Sequence, residues 1–280
     1  MSLNTYLPGR LRNTPLPRSH GLLPLFEAVV NSIHSISEVS TDPAYGEITV
    51  EIVRANQSSF QIEDGKAKRG APPQEPILGF KIIDNGSGFH EKNMMSFETL
   101  DSEYKAQQGC RGVGRLLWLK VFEAVSVNSC FNDADGAMKY RSFTFTTPQG
   151  IANKELTAAA AGAELKTCVH LSGFRKIYRE KSSKTARTIA NSLFEHCLWY
   201  FVRDGGAPRI RIKDDLELIK LEDVYDDYMF SHSKKENIAV KEQTFEITHL
   251  KLKASAAKQP FIAWCAARET LINSARILHG

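Results

Sequence analysis

Residues 82–89 read IIDNGSGF, an apolar run that ends in a carboxylate and passes at once into two glycines spaced two apart. Asn-Gly is a strong turn signal, so one interpretation is a tight turn after a strand. The other is a ligand pocket, in which Asp84 binds one part of a ligand while Gly86 and Gly88 let the ligand approach the backbone. This stretch alone does not decide between them.

Composition restricts the class of protein. The chain has 280 residues, 42% hydrophobic and 24% charged, as in globular proteins of one large or two smaller domains. No apolar run approaches the roughly 18 residues of a membrane span, and the N-terminus lacks a signal-peptide core, which predicts a cytoplasmic protein with no membrane partner. Five cysteines without paired spacing favour reduced thiols over disulfides or zinc. The net charge of +4 permits contact with nucleic acid without arguing for it.

Hydrophobic periodicity outlines the elements. The polar, proline-containing residues 1–20 predict an extended N-terminal arm, and apolar residues at helical spacing predict a helix from about residue 22 to 36. Strands are predicted for EITVEIV, ILGFKIID and LKTCVHLSGF, and a hairpin with an Asp-Gly turn for the sequence around NDADGAM. Residues 157–164 predict a small-residue loop or the end of a short helix, and residues 182–202 predict a long amphipathic helix.

The glycines after that helix predict a domain boundary at Gly205-Gly206. Beyond it, RIRIK, QTFEITHLKLKA and FIAWCAARETL predict a strand-rich second unit. The predicted organisation is therefore an arm over residues 1–20, a main domain over 21–204 and a second unit over 205–280.

Glu27 and Asn31 lie four residues apart in the first predicted helix, so their side chains share a face. Such a pair is most often a solvated stripe. Here, however, the helix is apolar nearly all round, so both groups must face water, a partner or a ligand. A carboxylate can act as a general base, and an amide oxygen can hold Mg²⁺, which brings phosphates with it.

A glycine cluster, GCRGVG at 109–114, precedes another predicted helix. Glycines at a helix start suggest backbone N–H groups that bind phosphate. The cluster is not a Walker motif, since no Lys-Ser/Thr follows, and it does not directly follow a strand as in a dinucleotide fold. Alone, it is weak evidence.

Taken in order, E-x-x-x-N, D-x-G-x-G, a polar stretch of about 20 residues and G-x-x-G-x-G resemble the GHKL ATPases. That superfamily comprises gyrase B, the ninety-kilodalton heat-shock chaperone, histidine kinases and MutL, with MORC proteins beside them. The resemblance covers about residues 20–175. It implies an α+β fold, the two-layer α/β sandwich of the Bergerat ATP-binding fold, with a lid at about 89–108. Residues 205–280 would be the start of a transducer-like domain.

On the base side, the resemblance implies that Asp84 accepts a hydrogen bond from the adenine amino group and that Gly86 and Gly88 let the base approach. Thr167 would touch the adenine side through the aspartate and water. The glycine usual before this threonine is replaced by Lys166.

On the phosphate side, Glu27 would be the catalytic base, Asn31 would hold Mg²⁺, and Lys105 would be a lid lysine that reaches phosphate. The phosphates themselves would meet the glycine cluster, through Gly109, Gly112, Val113 and Gly114. His34 stands where the family usually has an acid. It is either a pocket-rim residue or a surface histidine, and we favour the surface histidine.

Three functions remain open from the sequence. One is a hydrolysing ATPase of the gyrase–chaperone–MutL–MORC branch, which Glu27 favours. The second is a histidine-kinase-like module or an ATP sensor without efficient hydrolysis. The third is an ATP-binding interaction module in which hydrolysis is vestigial. In the hydrolysing branch a transducer residue reaches the γ-phosphate, and the candidates here are Lys251, Lys253 and Arg268.

The hydrolysing branch also implies an ATP-dependent homodimer. Its contact would be the N-terminal arm, with Tyr6 and Leu7 as anchors. We expect the chain to be the N-terminal portion of a longer protein, with any DNA or protein client bound through regions beyond residue 280. Fold-level analogy does not separate DNA handling, chaperoning and defence.

Overall fold

The computed structural model describes residues 6–55, 75–99, 114–203, 205–215 and 217–228, and the backbone of three strands beyond them. The helices are α1 (Leu7–Arg12), α2 (Leu23–Ser37), α3 (Glu91–Glu98), α4 (Gly114–Val121), α5 (Lys176–Arg179), α6 (Ala186–Val202) and α7 (Leu221–Tyr228). The strands are β1 (Glu47–Arg54), β2 (Ile77–Asp84), β3 (Ala124–Asn132), β4 (Met138–Thr146), β5 (Gly150–Ala158), β6 (Lys166–Ser172), β7 (Arg209–Asp214), β8 (Glu217–Lys220), β9 (Lys234–Val240), β10 (Gln243–Lys251) and β11 (Phe261–Ala267).

Eight strands form one mixed sheet in the order β5-β4-β3-β6-β2-β1-β7-β8. Neighbouring strands are antiparallel except β1 and β7, which run parallel. Along β1, Ile48, Val50 and Ile52 are buried while the residues between them are partly exposed, so helices cover one face of the sheet. The predicted α+β class and two-layer α/β sandwich are confirmed.

The core lies between α2 and the sheet. Leu25, Val29 and Ile33 of α2 are fully buried, because a spacing of four residues places them on one helix face. Burial of each such side chain contributes about 1.5–3 kcal/mol. Phe80, at the sheet centre, contacts the rings of Phe122 and Phe174 edge-on or tilted. This packing fixes α2, and hence Glu27 and Asn31, over the middle of the sheet.

The N-terminal residues differ from the extended arm predicted for them. Residues 7–12 form α1, whose Leu11 is buried, and Lys120 Nζ of α4 donates a hydrogen bond of 2.8 Å to the Leu11 carbonyl. Pro8 in the first turn pre-sets a helical φ, and two arginines in the last turn complement the helix dipole. The prediction of an extended chain is therefore wrong for residues 7–12.

The main sheet extends past the boundary predicted at Gly205-Gly206. Both glycines have positive φ, of 93° and 72°, and the turn they form returns the chain to pair as β7 with β1. The carboxylate of Asp214 on β7 accepts hydrogen bonds of 2.7 and 2.6 Å from the Arg54 guanidinium on β1. The glycines mark a turn within the sheet, which continues to Lys220.

Strand β5 was not predicted, because its polar stretch Asn153-Lys154-Glu155 lacks the alternation of a half-buried strand. Thr157 and Ala158, assigned from the sequence to a loop, end this strand. Beyond residue 233, β9, β10 and β11 form a separate three-stranded antiparallel sheet, in line with the strand-rich tail. Lys251 is described by its backbone alone, and Lys253 and Arg268 lie outside the described residues. The transducer-like assignment stays a prediction.

The Arg54–Asp214 pair supplies a test of the way the sheet is joined. The two side chains are 6% and 4% exposed, so Asp214→Asn removes one charge of a buried ion pair and should lower the unfolding free energy by about 3–5 kcal/mol. The matched control is Glu51→Gln, which breaks the exposed Lys213–Glu51 pair between the same two strands, at an expected cost below about 1 kcal/mol. Urea denaturation followed by circular dichroism measures both, and equal losses would contradict the assignment.

Candidate functional site

One face of α2 carries Glu27, Asn31 and Ser35, each four residues from the next. Glu27 and Ser35 are half-buried, and Asn31 between them is exposed. With a rise of 1.5 Å per residue, the face spans about 12 Å from Glu27 to Ser35. The two ends of this face meet the other two motifs singled out in the sequence.

The glycine cluster reaches the Glu27 end. Gly114 is the first residue of α4, and a Cβ built on it would lie 3.1 Å from Glu27 Oε2. The start of α4 therefore lies against the carboxylate, and a side chain at this position would push on Glu27 Oε2. The rest of the predicted phosphate-binding set, Gly109, Gly112, Val113 and Lys105, lies outside the described residues.

Asp84 lies at the other end. It is the last residue of β2 and is 4% exposed. Ser32 Oγ of α2 donates a hydrogen bond of 2.7 Å to Asp84 Oδ2, and the Gly86 N–H donates one of 2.9 Å to Oδ1. Ser32 escaped sequence reasoning, although it is a polar residue on the buried side of an apolar helix.

Packing within the chain itself accounts for the glycines at positions 86 and 88. A Cβ on Gly86 would lie 2.8 Å from the Ile36 nitrogen in α2, and one on Gly88, at φ +70°, would lie 2.6 Å from Ser129 Oγ. Ser35 O accepts a hydrogen bond from the Ser87 N–H at 3.0 Å, which ties this turn to α2. Both glycines are required by helix and sheet, and their contact with a ligand stays a prediction.

Thr167 lies beside Asp84, because β2 and β6 pair these two residues directly. Thr167 Oγ1 lies 2.9 Å from Ser129 Oγ on β3, and both hydroxyls are buried. Ser129 also accepts a hydrogen bond of 3.0 Å from the Phe89 N–H. Sequence reasoning missed Ser129, yet it is the polar member of the inward-facing positions 125, 127, 129 and 131.

The Glu27 carboxylate is electrostatically unusual. Burial raises its pKa above the ordinary value, and within the described ranges no hydrogen bond or ion pair holds the carboxylate. The negative charge of Glu27 also acts on Cys197 of α6. Burial is the larger cause and the Glu27 charge the smaller one, and together they raise the pKa of Cys197 to about 12. A half-buried carboxylate with a raised pKa beside the start of a helix is a candidate functional residue.

His34 was interpreted as a surface histidine, and this is wrong. It is 7% exposed, and its Nε2 lies 2.8 Å from Tyr200 Oη. The cause is α6, which packs on this side of α2 and brings Tyr200 against the ring. His34 therefore links α2 and α6.

The first part of the predicted lid is the ordered helix α3. Its Phe97 ring lies 5.2–5.6 Å from the rings of Phe89, Phe143 and Phe145. The Arg115 guanidinium, one residue after Gly114, donates to the Ser96, Phe97 and Thr99 carbonyls where α3 ends. A cation is favourable at a helix C-terminus, so α3 and the start of α4 are held together. Residues 100–108 of the predicted lid lie outside the described residues.

The residues present fit a magnesium nucleotide better than a metal alone. Across the described residues, no three His, Cys, Asp or Glu side chains gather in a way that could hold a metal ion. Mg²⁺, however, needs only one or two protein oxygens when phosphates supply others, and the exposed Asn31 amide lies between Glu27 and the Asp84 end.

Comparisons with known proteins were made at three levels. No protein-family model matches the chain, and no curated protein matches it. Among solved structures, it is similar to the 43K ATPase domain of gyrase B from Thermus thermophilus, solved in complex with an aminocoumarin. The identity is 11% and the TM-score 0.44, over 82% of this chain and 57% of that chain. This chain thus spans a little over half of that neighbour, and at such similarity function has to be argued from the site's own residues.

None of the helices within the described residues combines the length and the apolar character that crossing a bilayer requires.

The raised pKa of Glu27 predicts a pH-dependent stability. The folded protein binds the Glu27 carboxyl proton more tightly than the unfolded chain does. Protonation of Glu27 therefore stabilises the fold below the unfolded pKa, near 4.5, and this stabilisation is lost as the pH rises through the folded pKa. Glu27→Gln removes the charge at similar shape, so it should unfold at higher urea than the parent at pH 7, with the difference closing towards pH 4. Glu180→Gln, at an exposed carboxylate, is the control and should track the parent. A Glu27→Gln variant no more stable than the parent at pH 7 would contradict the prediction.

Proposed function

We propose that this chain is an ATP-binding module of the GHKL type that hydrolyses ATP with Glu27 as the general base. The observation that carries the proposal is the convergence of three separate motifs on one face of α2. Gly114 lies against Glu27 at one end, Asp84 and its glycine turn lie at the other, and Asn31 is exposed between them.

The face is suited to a nucleotide because its two ends offer different chemistry. At the Glu27 end, the first backbone N–H groups of α4 provide the positive end of a helix dipole, which favours phosphate. At the other end, the Asp84 carboxylate is an acceptor for an amino group such as that of adenine. Along α2, Ser32, which bonds to Asp84, lies about 7.5 Å from Glu27, and this separation allows the base and the phosphates to lie at opposite ends.

Hydrolysis needs a group that takes a proton from water as it attacks the γ-phosphorus and the bond to the ADP oxygen breaks. Glu27 supports this role because its raised pKa brings its proton affinity closer to that of a useful base. Asn31 would hold Mg²⁺ through its amide oxygen, and the ion, when bound, neutralises phosphate charge. The glycines and Lys105 at 105–113 would add phosphate contacts.

The proposal separates binding from chemistry. Glu27→Gln should lower the ATP hydrolysis rate by about 10²–10⁴-fold, with little change in affinity for a non-hydrolysable ATP analogue, since it removes a base and spares the Asp84 end. Asn31→Ala should weaken both, because it removes a metal ligand. Steady-state phosphate release and calorimetry measure the two quantities.

Glu180→Gln is the control for that experiment, because this exposed carboxylate lies on the segment between α5 and α6, away from the α2 face. Parental hydrolysis by Glu27→Gln would refute the base assignment. Binding with no measurable hydrolysis by the parent protein would instead favour an ATP sensor or a histidine-kinase-like module.

We also infer that ATP joins two copies of the chain through their N-terminal residues, as in the hydrolysing branch. Support comes from α1, which packs on α4, the helix whose first residue meets Glu27. Tyr6, just before α1, is 70% exposed and is therefore available to a second copy.

Sedimentation with a non-hydrolysable ATP analogue should show about twice the mass of the nucleotide-free protein, since burial of apolar surface such as Tyr6 favours association. Tyr6→Ser should weaken the dimer, whereas Tyr45→Ser, at another exposed tyrosine, should not. An unchanged mass at high protein concentration would remove the dimer from the proposal.

A further inference from the structure

Two segments that are far apart in the chain meet at the C-terminal end of α4. Lys120 Nζ, in the last turn of α4, donates its hydrogen bond to the Leu11 carbonyl of α1. The carbonyl of Val121, the last residue of α4, accepts a hydrogen bond of 2.9 Å from the N–H of Arg175, which directly precedes α5. The end of α4 therefore holds both α1 and the start of α5.

A third segment, the single 3₁₀ turn Arg18–His20, packs on α5. Gly21 follows this turn, and a Cβ built on Gly21 would lie 3.0 Å from Tyr178 Cβ of α5. These contacts bring together residues 7–20, 120–123 and 175–181. We call these three ranges the basic surface.

The basic surface holds a large share of the positive charge of this chain. It carries eight Lys and Arg side chains against two carboxylates, Glu123 and Glu180, so its net charge is +6. The whole chain is only +4, which leaves all other residues together at −2. The mild overall charge thus conceals one strongly positive region. Its eight cations are Arg10, Arg12, Arg18, Lys120, Arg175, Lys176, Arg179 and Lys181.

Five of these cations are exposed, namely Arg10, Arg12, Arg18, Lys176 and Lys181. Lys176 is 76% exposed, and its distance of 3.7 Å to the exposed carboxylate of Glu180 is that of a weak surface ion pair, which a stronger anion can replace. The exposed side chains come from all three segments of the chain. An anionic partner would therefore contact α1, the 3₁₀ turn and α5 together.

The charge pattern fits a nucleic-acid backbone. A DNA duplex carries one negative charge per about 1.7 Å of its axis, so several cations spread over one surface can each meet a phosphate. Proteins that bind single strands add exposed aromatic rings on which bases stack. Tyr178, the aromatic residue of α5, is buried, so α5 presents charge without a ring for stacking. Charge without stacking favours a duplex, whose bases are already paired.

An anionic bilayer is the competing partner. Binding at a membrane surface needs buried apolar area as well as positive charge. Ile177 is 52% exposed and is the apolar side chain that α5 presents among its cations. A single isoleucine adds little apolar area, so the surface is better suited to phosphates than to lipid.

We propose that the basic surface binds the phosphate backbone of double-stranded DNA without reading its sequence. Arg18, Lys176 and Lys181 contact phosphates directly, because they are exposed. Arg175 and Arg179 are half-buried and add to the positive field around them. The inference goes beyond the proposed ATPase and does not depend on it, since this surface requires no bound nucleotide.

The test measures binding of the full chain to a fluorescently labelled DNA duplex by anisotropy, without ATP, over a series of salt concentrations. The triple variant Arg18→Gln, Lys176→Gln, Lys181→Gln should bind at least about tenfold more weakly than the parent at low salt. Its plot of log affinity against log salt should also be shallower by about two to three units, because each phosphate contact adds about 0.9 to that slope.

The matched control removes the same charge elsewhere. Lys139→Gln, Lys154→Gln and Lys213→Gln together neutralise three lysines on β4, β5 and β7, each of which forms an ion pair with a carboxylate. This control should keep the parental slope and an affinity within about twofold of the parent. Equal weakening by both triple variants would show a general effect of net charge and would overturn the inference.

Three further outcomes decide the matter. A parent that does not bind the duplex at low salt overturns the inference. Binding to vesicles of phosphatidylserine and phosphatidylcholine that exceeds binding to DNA, and that the first triple variant loses, assigns the surface to a membrane and also overturns it. If that variant fails to fold, Lys176→Gln alone should lower the slope by about one unit, and an unchanged slope overturns the inference. Because no ATP is present, none of these results bears on the proposed hydrolysis.

Discussion

The buried carboxylate of Asp84 is the interaction on which the candidate site depends. It joins the end of β2 to α2 through Ser32 and to the following turn through the Gly86 N–H. A carboxylate that is 4% exposed is stable only when such donors replace water, so helix, strand and turn must be placed together. The turn can come this close only because Gly86 lies on the α2 backbone and Gly88 over Ser129. The Asp84 carboxylate that would bind a base therefore also holds β2, α2 and the glycine turn together.

At the other end of α2, stability and chemistry oppose each other. The apolar surroundings that hold α2 on the sheet also desolvate Glu27 and raise its pKa. An isosteric amide would suit this position better for folding alone, since no cation among the described residues compensates the charge. An ionisable group that destabilises the fold and lies beside the N-terminus of α4 has the properties expected of a functional residue. The absence of a side chain at Gly114 also fits a functional role for Glu27, because it keeps the start of α4 close to the carboxylate.

The two ends are linked by rigid elements. The side of α2 opposite to Glu27 and Asn31 is buried, and α3 and α4 are connected through Arg115, whose guanidinium meets three carbonyls at the end of α3. A site assembled on a helix, two strand ends and a second helix start is better defined in geometry than one built on loops. These local contacts are the physical support for the proposed activity.

Local patterns in the sequence were enough for much of the fold. The 3.6-residue period around Glu27 and Asn31 predicted α2, alternation predicted β1 and β2, and Asp135-Gly136 predicted the β3–β4 hairpin, because these signals arise from neighbours along the chain. The motifs around Asp84 and Gly114 were likewise visible as candidates. Tertiary structure alone decided the rest: that Gly205-Gly206 turns the chain back to β1, that His34 is covered by α6, and that Ser32 and Ser129 belong to the site. Each of these depends on contacts between residues far apart in sequence, such as Ser32 with Asp84 and Ser129 with Thr167, and a local pattern contains no information about which distant residues will meet.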